Sequence, residues 1–227
     1  MGSTTAAPAP AASDLPSLRR HAISRPMDAS ALLCEVLVAR GVRTRPRAGQ
    51  TLLRQGDPDL RLFLLEAGSV ELSCVVESGR ECLLDIVLPP EIFGGSTEAT
   101  PFFAIAREEC QVVSASSAEL SICDPRVASA AMEISGHRAL RFAERLRDAL
   151  VLGTAERVMA VLSDLADRRS TRTPEGRRVD LSITQEDLAR MTGCTRETVN
   201  RTMNRLSVER RLLRRGRRYV VPYAPTR

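Results

Sequence analysis

Between Leu181 and Leu213, two runs of apolar residues spaced three and four apart lie either side of a glycine. That spacing predicts two short helices joined by a tight turn. Thr184 is placed to cap the first helix, with Asp187 three residues on to reach back. Leu188 and Met191 give that helix its apolar side, and Gly193 can take the left-handed conformation that commonly ends a helix. Thr195 restarts the chain as a second N-cap. In the second helix Val199, Met203 and Leu206 face inward, which leaves Arg196, Glu197, Asn200, Arg201 and Arg205 outward. Mixed charge on an outer face usually means a solvated, ion-paired helix. The same residue types also suit the base edges and phosphates of a major groove. The glycine turn, the two caps and the basic flank together favour DNA.

Upstream, the segment ALLCEVLVAR reads as helix stopped by Gly41, and the texture changes at Val42. Short β-branched runs bounded by Gly and Asp then predict strands, with Ser78-Gly79 marking a hairpin. Many short strands of this kind suggest a β-roll or jelly roll, giving an α+β chain overall. Ser116 with Glu119 reads as a second capping box, and Asp124-Pro125 as the start of a long helix. Along it Met132, Ser135, Ala139, Phe142, Leu146, Ala149 and Gly153 keep a heptad register, while Leu140, Ala143 and Leu150 form a rival stripe. So wide an apolar surface needs cover on two sides, either by the chain's own β-roll or by a second copy. Thr154 reads as the cap of a further amphipathic helix, RRSTRTPEGRR as a flexible loop, and RLLRRGRRYVVPY as a strand–turn–strand wing. The predicted division is a disordered tail (1–25), a β-roll sensor domain (26–123), a dimerisation helix (124–153) and a winged helix-turn-helix (154–227).

Charge sharpens this division. Every cation is Arg, and residues 154–227 carry 17 Arg against nine acids, whereas residues 1–153 carry 16 against 19. The basic footprint therefore falls on the helix-turn-helix, and the wing residues Arg214, Arg215, Arg217 and Arg218 are expected to face phosphates. No apolar run is long enough for a membrane span, and the Ala/Pro-rich start lacks the pattern of a signal peptide, so a cytoplasmic protein without membrane contact is expected. The six cysteines (34, 74, 82, 110, 123 and 194) form no C-x-x-C pair, and with His21 and His137 the only histidines no metal site is predicted. Phosphate loops and nucleophile–His pairings are missing too, which argues against an enzyme.

The segment QEDLARMTGCTRETVNRTMNRL resembles the winged-helix DNA-binding segment of the bacterial CRP/FNR regulators, and the likeness continues less tightly up to about residue 42. The resemblance implies a homodimer that binds palindromic double-stranded DNA with TGTGA-like half-sites, and RNA polymerase as a further partner. It implies that Arg196 and Arg201 donate to guanines and that Glu197 accepts from a cytosine. Asn200 stands where the family's cyclic-AMP-binding members carry Gly. Thr184, Gln185 and Thr195 would hold phosphates at helix N-termini, with Arg205, Arg217 and Arg218 as further phosphate contacts; Met132, Ala139, Phe142, Leu146 and Ala149 would line the dimer helix.

G-Q-T-L-x-x-Q-G-D and G-S-V-E-L likewise resemble the early strands of a cyclic-nucleotide-binding fold, with Cys74 and Cys82 at core aliphatic positions. In that fold an F-G-E-L type segment supplies a carboxylate for the ribose, and a later R-S-A supplies an Arg for the phosphate. Here the segments read Phe93-Gly94-Gly95-Ser96 and Thr100-Pro101-Phe102-Phe103-Ala104, with neither anchor. Gly94, Gly95, Ser96, Glu98 and Arg107 remain as a weak candidate effector pocket. Cyclic AMP is therefore not expected as a cofactor, and the ligand sets of the family's iron–sulfur and haem sensors are not matched. The alternative is a small-molecule or thiol-redox sensor whose DNA binding is gated by an unidentified effector or by cyclic nucleotide.

Overall fold

The computed structural model describes residues 27–124 and 126–223. The tail, His21, Pro125 and residues 224–227 lie outside the described residues, as do the side chains of residues 27–29, Ser96, Thr97 and Cys123. Helix α1 (Met27–Arg40) ends as expected at Gly41, whose N–H donates to Leu37 O at 2.7 Å. Eight strands follow: β1 (Val42–Thr44), β2 (Thr51–Leu53), β3 (Pro58–Ala67), β4 (Val70–Val75), β5 (Glu81–Val87), β6 (Glu91–Ala99), β7 (Phe103–Ala106) and β8 (Gln111–Ser116). They form two antiparallel four-stranded sheets, β1-β8-β3-β6 and β2-β7-β4-β5. The alternate residues that face between the sheets make the first core, including Phe63, Leu65, Val70, Leu72, Phe93 and Val112. The Phe63 and Phe93 rings stack at 5.1 Å. The expected β-roll is thus present, although Cys74 and Cys82 are half-buried and sit opposite one another on β4 and β5 rather than in this core.

Outside the first sheet, Leu62, Leu64, Ile92 and Val113 pack against α1, α2 (Ser117–Cys123) and α3 (Arg126–Val151). Ser116 flanks α2 but its side chain makes no capping bond. The chain turns into α3 through Asp124, whose Oδ1 accepts from Arg126 N at 2.9 Å. Only Val127 and Ala130 of α3 are buried, and Ile134, Arg138, Arg141 and Arg145 continue that face toward the β-roll. Met132, Ala139, Leu146 and Ala149 are exposed and Phe142 is half-buried; Leu140, Ala143 and Leu150 of the rival stripe are exposed as well.

The C-terminal part comprises α4 (Thr154–Arg168), β9 (Ser170–Thr173), β10 (Gly176–Val179), α5 (Gln185–Thr192), α6 (Arg196–Val208), β11 (Leu213–Arg215) and β12 (Arg218–Pro222). Gly153, not Thr154, is the N-cap residue of α4. The expected loop RRSTRTPEGRR is in fact mostly the β9–β10 hairpin, and it joins the wing in one sheet ordered β11-β12-β10-β9. Gly176 is what lets it join: a Cβ there would lie 2.2 Å from Val221 O. Leu83, Ile86 and Leu88 of the β-roll share a buried cluster with Leu162, Leu165, Leu188 and Leu206, so apolar packing crosses the expected domain boundary.

Candidate DNA-reading face and effector cavity

The helix-turn-helix is built as its sequence predicts. Thr184 Oγ1 accepts from Asp187 N at 3.0 Å, and Asp187 Oδ2 accepts from Thr184 N at 2.9 Å, closing the capping box. Gly193 stops α5 with φ 70° and ψ 19°, and Thr195 Oγ1 accepts from Thr198 N at 3.2 Å to open α6. Val199, Met203 and Leu206 are buried, joined by Thr202. Arg196, Glu197, Asn200, Arg201 and Arg205 are all exposed on the opposite face. Their mutual contacts are loose: Arg201 and Glu197 stand 3.9 Å apart with side chains 73% and 81% exposed, and Arg205 stands 3.8 Å from Glu209. Such pairs contribute little to stability, so these groups can exchange one another for a ligand at small cost. Asn204, which the sequence reading passed over, donates to Asn200 Oδ1 at 3.2 Å and belongs to the same surface.

Thr184 and Thr195 are exposed and Gln185 is half-buried. Each Thr oxygen accepts within its cap, and Thr195 Oγ1 also shares a hydrogen bond with Thr198 Oγ1 at 2.8 Å. On the wing the four arginines differ. Arg217 is exposed, Arg214 Nε donates to Gly216 O at 3.0 Å, and Arg215 is paired to Glu175 at the tip of the β9–β10 hairpin. Arg218 departs from expectation. It is half-buried, its Nη1 is shut off from solvent, and its charge is felt by Asp180.

Two ionic clusters join the DNA-reading part to the rest. Arg107 was expected at the effector pocket. Instead it donates to Asp187 at 2.8 and 3.1 Å and to Ser182 O at 3.1 Å, and lies 3.5 Å from Glu71. Arg190 completes this group with Glu71 at 3.1 Å, Asp187 at 3.2 Å and Glu81. Arg80 Nη2 donates to Gly193 O, the turn itself, at 2.7 Å. Burial alone would raise the pKa of Asp187, but hydrogen bonds from Arg107 and the Thr184 backbone outweigh it and hold that pKa at about 2. The second cluster centres on Asp85, which has no exposed surface. Arg168, Arg145 and Arg141 approach it at 2.8, 3.1 and 3.3 Å. Burial opposes its ionisation, yet these charges hold it well below the usual carboxylate range. Glu91 and Asp164 extend the cluster through Arg168 and Arg145, each at 3.0 Å.

A cavity of about 320 Å³ opens between β6, the following turn and α3. Of the predicted pocket residues, Gly94 and Gly95 line it; Glu98 is exposed outside it and Arg107 is turned away to Asp187. Both glycines have positive φ, and a Cβ would fall 2.5 Å from Arg61 O at Gly94 and 2.7 Å from Leu62 Cδ2 at Gly95. Their role is close packing of β6 on β3. Among the described residues the remaining polar lining is Thr100, Ser135 and Arg138, with no carboxylate. Arg138 is a residue sequence reasoning missed: it reaches in from α3, half-buried, donates to Ile92 O at 2.7 Å, and also lines a larger cleft of about 1210 Å³ behind it. Desolvation pushes its pKa down.

Comparison with known proteins agrees with both halves. Residues 43–122 match the cyclic nucleotide-binding domain and residues 156–224 the Crp-like helix-turn-helix domain. A CRP-like cAMP-activated global transcriptional regulator of Mycobacterium tuberculosis is 30% identical over 162 residues, covering 68% of this chain and 72% of that one. Two solved structures share the fold. The c-di-GMP responsive global regulator CLP of Xanthomonas campestris has TM-score 0.69 and 23% identity, over 86% of this chain and all of that one. FixK2 from Bradyrhizobium japonicum has TM-score 0.71 and 19% identity, over 80% of this chain and 92% of that one. A β-roll, a long helix and a capped helix-turn-helix with a four-stranded wing, in that order and matched over both domains, place this chain in the CRP/FNR family of transcription regulators, with DNA bound through its helix-turn-helix.

Proposed function

We propose that the chain acts as a homodimer that reads palindromic DNA with TGTGA-like half-sites, and that cyclic AMP does not control it. The observation that carries the reading is α6, where Arg196, Glu197, Asn200, Arg201 and Arg205 stand exposed on one side and Val199, Met203 and Leu206 are buried on the other. Arg196 and Arg201 can fork onto guanine O6 and N7, and Glu197 can accept from a cytosine amino group. Thr184, Gln185, Thr195, Arg205 and Arg217 are positioned as phosphate contacts around that helix. The exposed apolar residues Met132, Leu140, Leu146 and Leu150 of α3 support pairing of two copies, which would set two recognition helices on one face of the duplex. An interaction with RNA polymerase belongs to this reading too.

Against cyclic AMP stands the lining of the small cavity, which among the described residues has no carboxylate for a ribose hydroxyl. Gel-shift titration on a palindromic TGTGA duplex at fixed salt tests both parts. Tight binding that cyclic AMP leaves unchanged is the expected result. Binding only when cyclic AMP is present would overturn the second part, and no preference over scrambled duplex would overturn the first. A second reading, control by a different small molecule, is favoured by the persistence of a cavity with one charged group in it.

A further inference from the structure

Cys74 and Cys82 stand opposite one another across the β4–β5 hairpin. The turn that joins the two strands fixes how they meet. Val76 N–H donates to Arg80 O at 3.0 Å, and Gly79 N–H donates to Val76 O at 2.8 Å. Gly79 has φ 78°, the left-handed bulge that closes a three-residue hairpin loop. Val75, one step back, turns its backbone groups away from β5. Its N–H donates to Gln55 Oε1 at 2.9 Å, and its C=O accepts from Gln55 Nε2 at 3.2 Å. Hydrogen-bonded and non-hydrogen-bonded pairs alternate along an antiparallel ladder, so Cys74 and Cys82 are a hydrogen-bonded pair with Cα atoms about 5.5 Å apart. Disulfides span Cα separations of about 4.4–6.8 Å. Side chains directly opposite share one face of the sheet, and these two thiols lie within hydrogen-bonding reach of each other. Both residues are half-buried, and Cys82 lines the cleft of about 1210 Å³ beside α3. The other cysteines with described side chains are engaged elsewhere: Cys34 with Ser30, Cys110 with Ser69 O and Glu108 O, Cys194 with Thr154 and Thr192 O.

We propose that Cys74 and Cys82 form a reversible dithiol–disulfide site, oxidised by a low-molecular-weight disulfide of the glutathione type. Cys82, reached from the cleft, loses its proton and its thiolate attacks one sulfur of that disulfide. The small disulfide's S–S bond breaks, a mixed disulfide forms on Cys82, and the first small thiol leaves as thiolate. Burial and the neighbouring Cys82 push the Cys74 thiol up, so Cys74 acts second. Its thiolate attacks Cys82 Sγ, displaces the remaining small thiol and closes the cross-link. Two protein thiols are oxidised, one small disulfide is reduced to two small thiols, and the two protons end on those. The cross-link fastens the base of the loop whose far side carries Arg80 and Glu81, the residues that hold Gly193 O and Arg190. No part of this depends on which DNA the chain reads or on cyclic AMP.

The test incubates the full reduced chain with glutathione disulfide, quenches with iodoacetamide and digests with trypsin. Cleavage after Arg61, Arg80 and Arg107 leaves Cys74 and Cys82 as the single cysteines of the neighbouring peptides 62–80 and 81–107. Mass spectrometry without reduction should find these two peptides joined, from protein that runs as a single chain on a non-reducing gel, and dithiothreitol should separate them. In a glutathione redox buffer the ratio of joined to free forms should be at least tenfold higher for the folded chain than for the same chain in urea, because the sheet holds the sulfurs opposite one another. Cys82→Ser should abolish the link in protein shown by circular dichroism to fold. Should that variant fail to fold, the comparison with urea decides alone. Peptides that stay separate, a link from either residue to a different cysteine, a cross-link between chains, or an equal ratio in urea would each overturn the proposal.

Discussion

Asp85 anchors one of the two ionic clusters that join the DNA-reading part to the rest. It is fully buried, and three guanidiniums from α3 and α4 close on it. Asp85→Asn would leave those cations uncompensated, and we expect a loss of about 3–5 kcal/mol, read as a lowered denaturant midpoint. On the outer surface the expectations are different. Arg201→Ala should cost about 1–3 kcal/mol of DNA affinity and relax preference at one base pair; equal loss on all sequences would make Arg201 a phosphate contact instead. Arg217→Ala should lower the salt slope of DNA binding by about one, whereas half-buried Arg218 should leave the slope unchanged and cost stability. The DNA-reading residues were legible because outward polarity and inward apolar spacing are both printed along α6. Arg138 was not, although a signal existed. Arg138, Arg141 and Arg145 recur at three and four, the same period as the apolar stripes, and Asp85 interrupts the apolar run from Leu83 to Leu88. Their meeting across more than fifty residues is a fact of packing that local pattern does not contain.

At the scale of elements, α3 offers the clearest case of a pattern read correctly but assigned incompletely. Both stripes were visible, and both prove to be exposed apart from half-buried Phe142; the face turned to the β-roll is the arginine one. If α3 is a dimer helix, Leu146→Arg with Leu150→Arg should give a monomer by sedimentation velocity and weaken binding to a palindrome far more than to a single half-site. The turn between α5 and α6 depends on Gly193. A Cβ there would meet nothing closer than Arg80 Nη2 at 3.7 Å, so Gly193→Ala costs through its positive φ and not through a clash, by about 1 kcal/mol or somewhat more. The β9–β10 hairpin was read as a loop because β9 is Ser-Thr-Arg-Thr and β10 is Gly-Arg-Arg-Val, so Val179 is the one apolar side chain and no hydrophobic alternation marks either strand.

For the molecule as a whole, charge does what apolar packing between the two halves does only in part. Every cation at the junction is a guanidinium, which stays protonated throughout the usable pH range. The junction is therefore indifferent to alkali and sensitive to acid. Asp187 is held at about 2, below its ordinary value near 4, so its contribution is fully present above that ordinary value and is lost as pH falls through about 2. Asp187→Asn keeps an acceptor and removes the charge; it should lower stability at neutral pH and flatten the acid limb of an unfolding curve between pH 4 and 2.

Asp187 also explains a choice of residue. A capping box most often uses Glu or Gln at its third position, because the longer arm reaches back easily. Here the same carboxylate must meet Thr184 N on one side and the Arg107 fork on the other. One more methylene would preserve the cap and displace the fork. The winged helix is consequently not a portable part: grafted onto another sensor it would carry a residue shaped for a neighbour no longer there. The imprint of the β-roll on the DNA-reading half is a side-chain length.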